Sequence, residues 1–157
     1  APPLSARPIT PGNSRTDVST DPDPYSQTTP SEMGSLLADI YQCAQNSGGA
    51  LIAAFPDKVS PDTCQLLIDF MAQDKLGSLI QGGVPDGTLV PHKHGYVPAS
   101  DGVIHDISDA AIVYTPGGNF VLSIYTYHPA TNIWDITNPL IGNLAKAVYN
   151  YFNVSVQ

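Results

Sequence analysis

The sequence predicts an α+β fold, an antiparallel sheet flanked by helices to which this chain contributes three strands and a terminal helix. Three observations carry that reading. Two stretches repeat apolar residues at helical spacing behind recognisable caps. Two apolar runs, 110–115 and 120–127, are joined by Pro116-Gly117-Gly118-Asn119, whose residues suit a tight reversal between antiparallel strands. The final twenty or so residues then return to helical spacing.

In chain order, residues 1–27 come first as an irregular segment. Pro2, Pro3, Pro8, Pro11, Pro22 and Pro24 are separated there by Ser, Thr, Asp and Asn, so the segment should wrap a surface rather than fill a core. A helix then starts sharply, with Thr29 as cap, Pro30 at the first helical position and Glu32 completing a capping box. Met33, Leu36, Leu37, Ile40, Tyr41 and Ala44 give it one apolar stripe, to about Gln45, and Asn46-Ser47-Gly48-Gly49 ends it. A second helix is expected over 61–75 from the start Ser60-Pro61-Asp62, with Cys64, Leu67, Ile68 and Met71 on a common face. Gly77, Gly82, Gly83, Pro85 and Gly87 break the chain before a strand expected over 88–95. Both hairpin runs are apolar at nearly every position, which suits strands covered on both faces. Asn138 as cap and Pro139 at the first helical position open the terminal helix, with Ile141, Leu144, Ala145, Val148 and Phe152 at helical spacing. There is no internal repeat and no boundary after Thr28, so the organisation reads as segment 1–27 followed by one unit, 28–157.

Composition narrows the partners. A chain of 157 residues that is 42% hydrophobic can bury a core. Its formal net charge of −8 repels phosphate backbones, which argues against nucleic acid. No apolar run approaches the roughly 18–20 residues of a membrane span, and the first residues show no targeting signal. Cys43 and Cys64 lie on either side of the connection between the first two predicted helices. A disulfide there implies an oxidising, extracytoplasmic compartment (secreted, periplasmic or cell-surface), and two buried free thiols are the alternative.

Three segments, Thr28-Thr29-Pro30-Ser31-Glu32-Met33, Lys93-His94-Gly95 and the run from Asp109 to Gly118, appear in an order that resembles class A β-lactamases and their penicillin-binding relatives. The likeness covers about residues 28–153 and implies the C-terminal part of a β-lactamase/transpeptidase-like domain. In that family a K-T-G triad lies on the strand bordering the active site, and here histidine takes the middle place. A three-residue motif is weak alone, since Lys75-Leu76-Gly77 matches it too; its place before the hairpin and terminal helix gives it weight.

The resemblance implies roles. Lys93 would lend its ammonium to a substrate carboxylate and to lowering the proton affinity of the nucleophile, and is therefore read as both catalytic and substrate-binding. His94 would replace a hydroxyl donor, Gly95 would let substrate approach the strand, and the backbone N–H of Tyr96 would form half of an oxyanion hole. An ordinary solvated lysine and a hydrogen-bonded surface histidine are the alternatives for the first two. No Ser is followed three residues later by Lys, so the nucleophile is expected in a missing N-terminal segment and the chain alone should be inactive. The family's deacylating glutamate would fall near residues 13–15, where there is none; Glu32 is the single glutamate, and Asp17, Asp21 or Asp23 would be the substitutes. The expected partners are an N-terminal complementary polypeptide, or self-association, and a β-lactam or peptide ligand. A non-catalytic binding or scaffold module is the competing function. No cofactor or metal is expected: His92 and His94 alternate onto one strand face, but a third ligand would have to come from His105, His128 or an Asp elsewhere.

Overall fold

The computed structural model of the chain describes residues 28–46 and 48–154. The irregular segment expected over 1–27, with Asp17, Asp21 and Asp23, lies outside them. Helix α1, Pro30–Asn46, begins at the expected capping box. Thr29 N–H donates to Glu32 Oε2 and Glu32 N–H donates to Thr29 Oγ1, both at 3.2 Å. A short helix, α2, Ala50–Ala54, was not anticipated; five residues are too few to show a period. Its entry is Gly49 at φ 105°, a conformation that favours glycine. Helix α3, Pro61–Met71, starts from a second capping box, between Ser60 and Thr63, and stops four residues before the expected end. Cys43 of α1 and Cys64 of α3 are joined in a disulfide with Cα atoms 6.0 Å apart, so the free-thiol alternative falls.

Strands β1 (His92–Gly95), β2 (Asp106–Val113) and β3 (Phe120–Tyr127) form one antiparallel sheet in that order. Three strand boundaries differ from expectation, β2 also ending at Val113 rather than at 115. The approach to β1 runs beside β2 with isolated bonds only, Leu89 and Pro91 carbonyls accepting from Tyr114 and Ile112 N–H at 3.1 and 2.9 Å, and regular pairing starts at His92. β2 begins at Asp106, four residues early, because its polar first half is satisfied by partners that sequence does not place: Asp109 by His92 and Ile80, Ser108 by the Gly95 carbonyl.

Both sheet faces are covered, as the continuous apolar runs imply. Alternation sends Ile107, Ala111 and Val113 to one core with Leu79, Ile80, Val90, Phe120, Ile141 and Ala145, and sends Ala110 and Ile112 to the other with Leu37, Ile40, Ile68 and the disulfide. Helix α4, Trp134–Phe152, provides Ile141 and Ala145 to the first; α1 and α3 build the second. The start of α4 corrects the expectation. Asn138 is not its cap, because the Asn138 Oδ1 accepts from Leu79 N–H at 2.8 Å, and Pro139 lies inside the helix. The helix begins one turn earlier, where Thr137 Oγ1 hydrogen-bonds Asn132 Oδ1 and Asn132 Nδ2 donates to Thr126 Oγ1 at 2.8 Å. Between β1 and α3 a 3₁₀ turn, Gln81–Gly83, presses on α4 so closely that a Cβ on Gly83 would stand 2.0 Å from the Gly142 carbonyl oxygen. No helix among the described residues is long and apolar enough to cross a membrane.

Candidate functional site

Among the described residues strand β1 is an edge strand, carrying Lys93, His94 and Gly95, with Tyr96 just beyond. Antiparallel alternation turns the carbonyls of Leu89 and Pro91 inward to β2, so His94 directs its backbone groups to the edge, and Tyr96 follows where the pairing ends. The exposed Lys93 side chain lies along that edge, its Nζ donating to the His94 carbonyl at 3.0 Å. Gly95 is opposite Ser108, and a Cβ there would meet Ser108 Oγ at 3.0 Å, so a larger residue would press on β2. The edge thus offers an ammonium, backbone N–H groups and a glycine over four consecutive residues.

The His94 side chain leaves on the opposite face from Lys93, because successive strand residues alternate. It joins His92 and two aspartates. His92 is 1% exposed, and its Nδ1 lies 3.0 and 3.1 Å from the two carboxylate oxygens of the fully buried Asp109. Asp109 Oδ2 also accepts from Ile80 N–H at 3.1 Å, tying the 3₁₀ turn to the sheet. Asp74, in the turn after α3, places Oδ2 2.9 Å from His94 Nδ1 and Oδ1 3.9 Å from His92 Nε2. Tyr96 stacks on the His94 ring at 5.5 Å and meets Trp134 edge-on at 5.2 Å.

Burial alone would push the His92 imidazole toward its neutral form, but the hydrogen bond and charge of Asp109, with Asp74 behind them, outweigh it and leave the pKa raised. For Asp74, burial likewise opposes ionisation; the Leu76 N–H and then His92, His94 and Lys93 overcome it and hold the pKa below the ordinary carboxylate value. Sequence reasoning named both histidines and missed Asp74 and Asp109. Asp109 left a signal: a carboxylate adjoining an apolar strand run needs a partner if the strand is buried there. Asp74 left none, being one of many loop aspartates.

Comparison with known proteins places these residues in context. A family model described as the β-lactamase enzyme family matches residues 7–152. Beta-lactamase VEB-1 of Pseudomonas aeruginosa is 24% identical over 125 residues, which are 79% of this chain and 38% of that protein. Among solved structures, the TLA-1 extended-spectrum β-lactamase superposes with a TM-score of 0.62 at 23% identity, over 84% of this chain and 44% of its own. PBP-A gives 0.60 at 21% identity, over 80% and 40%. The three-stranded sheet and its helices are therefore part of a β-lactamase/transpeptidase fold, and the chain spans about two-fifths of the length of these relatives.

Proposed function

We propose that this chain, which belongs to the β-lactamase enzyme family, supplies the C-terminal part of a serine hydrolase or acyl-transferase acting on β-lactams or cell-wall peptides. The observation that carries the reading is the edge of β1, where Lys93 Nζ lies against the His94 carbonyl, next to Gly95 and Tyr96. Lys93 attracts the substrate carboxylate and favours the ionised nucleophile, Gly95 admits the substrate to the edge, and the Tyr96 N–H stabilises the developing oxyanion. A serine outside these 157 residues attacks the carbonyl; the C–N bond breaks, the nitrogen takes up the proton released by the serine, and an ester remains until water or an amine removes it. The disulfide supports an extracytoplasmic setting.

With no glutamate in residues 1–27, deacylation is slow and the ester accumulates, which favours a penicillin-binding or peptidase-like role. The test is intact mass spectrometry of the assembly formed with a segment bearing S-x-x-K, after exposure to penicillin G. A mass increase equal to the whole penicillin, lost or slowed by about 100-fold in Lys93→Ala without loss of folding, is the expected result. No adduct in the complete assembly, or equal acylation in Lys93→Ala, overturns the assignment and leaves a binding or scaffold module.

A further inference from the structure

We propose that Asp74, His92 and His94 form a binding site for a first-row divalent cation, zinc above all, with one coordination position left open. No serine and no second polypeptide enters the site, so the inference stands or falls apart from the acyl chemistry above. One oxygen of Asp74, one nitrogen of His92 and one of His94 all lie within 4.8 Å of one another. Zinc bonds of about 2.0–2.2 Å place tetrahedral ligand atoms about 3.3–3.5 Å apart, so side-chain shifts of about an ångström close the three around an ion.

The state of His92 is the independent observation. Its Nε2 is buried, has no hydrogen-bond partner, and is 3.9 Å from Asp74 Oδ1. If Nδ1–H is donated to Asp109, Nε2 presents a bare lone pair toward a carboxylate; if Nε2 is protonated as well, 3.9 Å is too long for it to donate. Either way a polar atom is buried unsatisfied, and a cation between the two groups satisfies both. His94 repeats the pattern: its Nδ1 is 2.9 Å from Asp74 Oδ2 but not aligned for a hydrogen bond. These nitrogens and the carboxylate converge without bonding one another, as ligands around a common centre do.

Asp109 adds what metal histidines usually have, a carboxylate on the far ring nitrogen that fixes the tautomer and ring orientation. Tyr96 holds the second ring by stacking. Two imidazoles with one carboxylate suit zinc and its neighbours and do not suit magnesium or calcium, which prefer oxygen. Asp74 and His94 are partly exposed, at 15% and 20% of their side chains, so an ion can enter on their side, which also holds the open position.

The test titrates zinc ion alone into the metal-free 157-residue chain by calorimetry, with cobalt(II) as the spectroscopic probe. One equivalent is expected to bind, and bound cobalt is expected to give the intense visible bands of low-coordinate nitrogen and oxygen ligation. His94→Ala and the near-isosteric Asp74→Asn should each weaken binding by about 100-fold or more, beyond the 10–100-fold typical of outer-shell changes. His105→Ala and His128→Ala should leave it unchanged. Absence of saturable binding, or binding that survives both His94→Ala and Asp74→Asn, overturns the site.

Discussion

At the scale of single residues, His105 has the most predictable titration. Its Nδ1 lies 3.0 Å from the His128 carbonyl and its Nε2 3.0 Å from Asp101 Oδ2, so both ring nitrogens face acceptors. Only the imidazolium carries a proton on each. The Asp101 hydrogen bond first, and the His128 carbonyl next, raise the pKa, with the Asp101 and Asp106 charges adding to them. A raised folded-state value stabilises the fold below the unfolded value of about 6.5, and the contribution is lost as pH rises through the folded pKa. NMR titration of the His105 ring should therefore give a midpoint above the ordinary histidine value, and Asp101→Asn should lower it. An unchanged midpoint in Asp101→Asn would remove the ion pair from the explanation. By contrast Asp109 is structural. It is fully buried with His92 and Ile80 as partners, so Asp109→Ala should cost about 3–5 kcal/mol by denaturant unfolding, the loss expected when one member of a buried ionic pair is removed.

At the scale of elements, close backbone approaches and covalent ties set the geometry. Gly83→Ala places a methyl against the Gly142 backbone, which cannot rotate away as a side chain could. We expect about 1–3 kcal/mol of destabilisation by urea unfolding, as for overpacked cores, while Gly87→Ala, which meets no neighbouring atom but sits at φ 83°, tests backbone strain without the clash. Reducing the Cys43–Cys64 bond, which spans 21 residues, should cost about 3 kcal/mol on the loop-closure account. These elements also divide what sequence discloses from what it does not. Capping residues declared the start of α1 and α3, and the Pro-Gly-Gly-Asn turn declared the hairpin, because those signals are local. The start of α4 was hidden because Asn138, a good cap in isolation, is taken by Leu79 fifty-nine residues away, and Asn132 anchors the turn before it. The early start of β2 was hidden for the same reason: its polar residues find partners only in three dimensions. Lys93, His94 and Gly95 could be named in advance because they are contiguous on one strand. The His92 cluster could not, since Asp74 arrives from the end of α3 and Asp109 from the paired strand.

At the scale of the molecule, two helices carry exposed apolar surface among the described residues. Helix α4 buries Thr137, Ile141 and Ala145 against the sheet, yet Ile136, Leu140 and Leu144, spaced by four, are 63%, 50% and 46% exposed on another face. On α3, Leu66, Leu67 and Phe70 are similarly open. A contiguous exposed apolar stripe is the surface signature of an interaction site. Among the described residues β1 and β3 are also unpaired sheet edges, templates for another strand. The solved relatives are more than twice as long as the matched part of this chain, and an N-terminal polypeptide of that fold is the occupant we expect on these surfaces. Without it, the 157-residue chain should associate with itself as concentration rises. Sedimentation equilibrium should then report masses above the 16.6 kDa of one chain, shifting back toward that value in Leu140→Glu, where a charge interrupts the α4 stripe. Adding the complementary segment should convert the self-associated form into a one-to-one complex with a sharper unfolding transition. A chain that stays monomeric at every concentration, unfolds cooperatively and ignores the added segment would mean that its open stripes and edges are tolerated surface, and that the fold is sufficient without a second polypeptide.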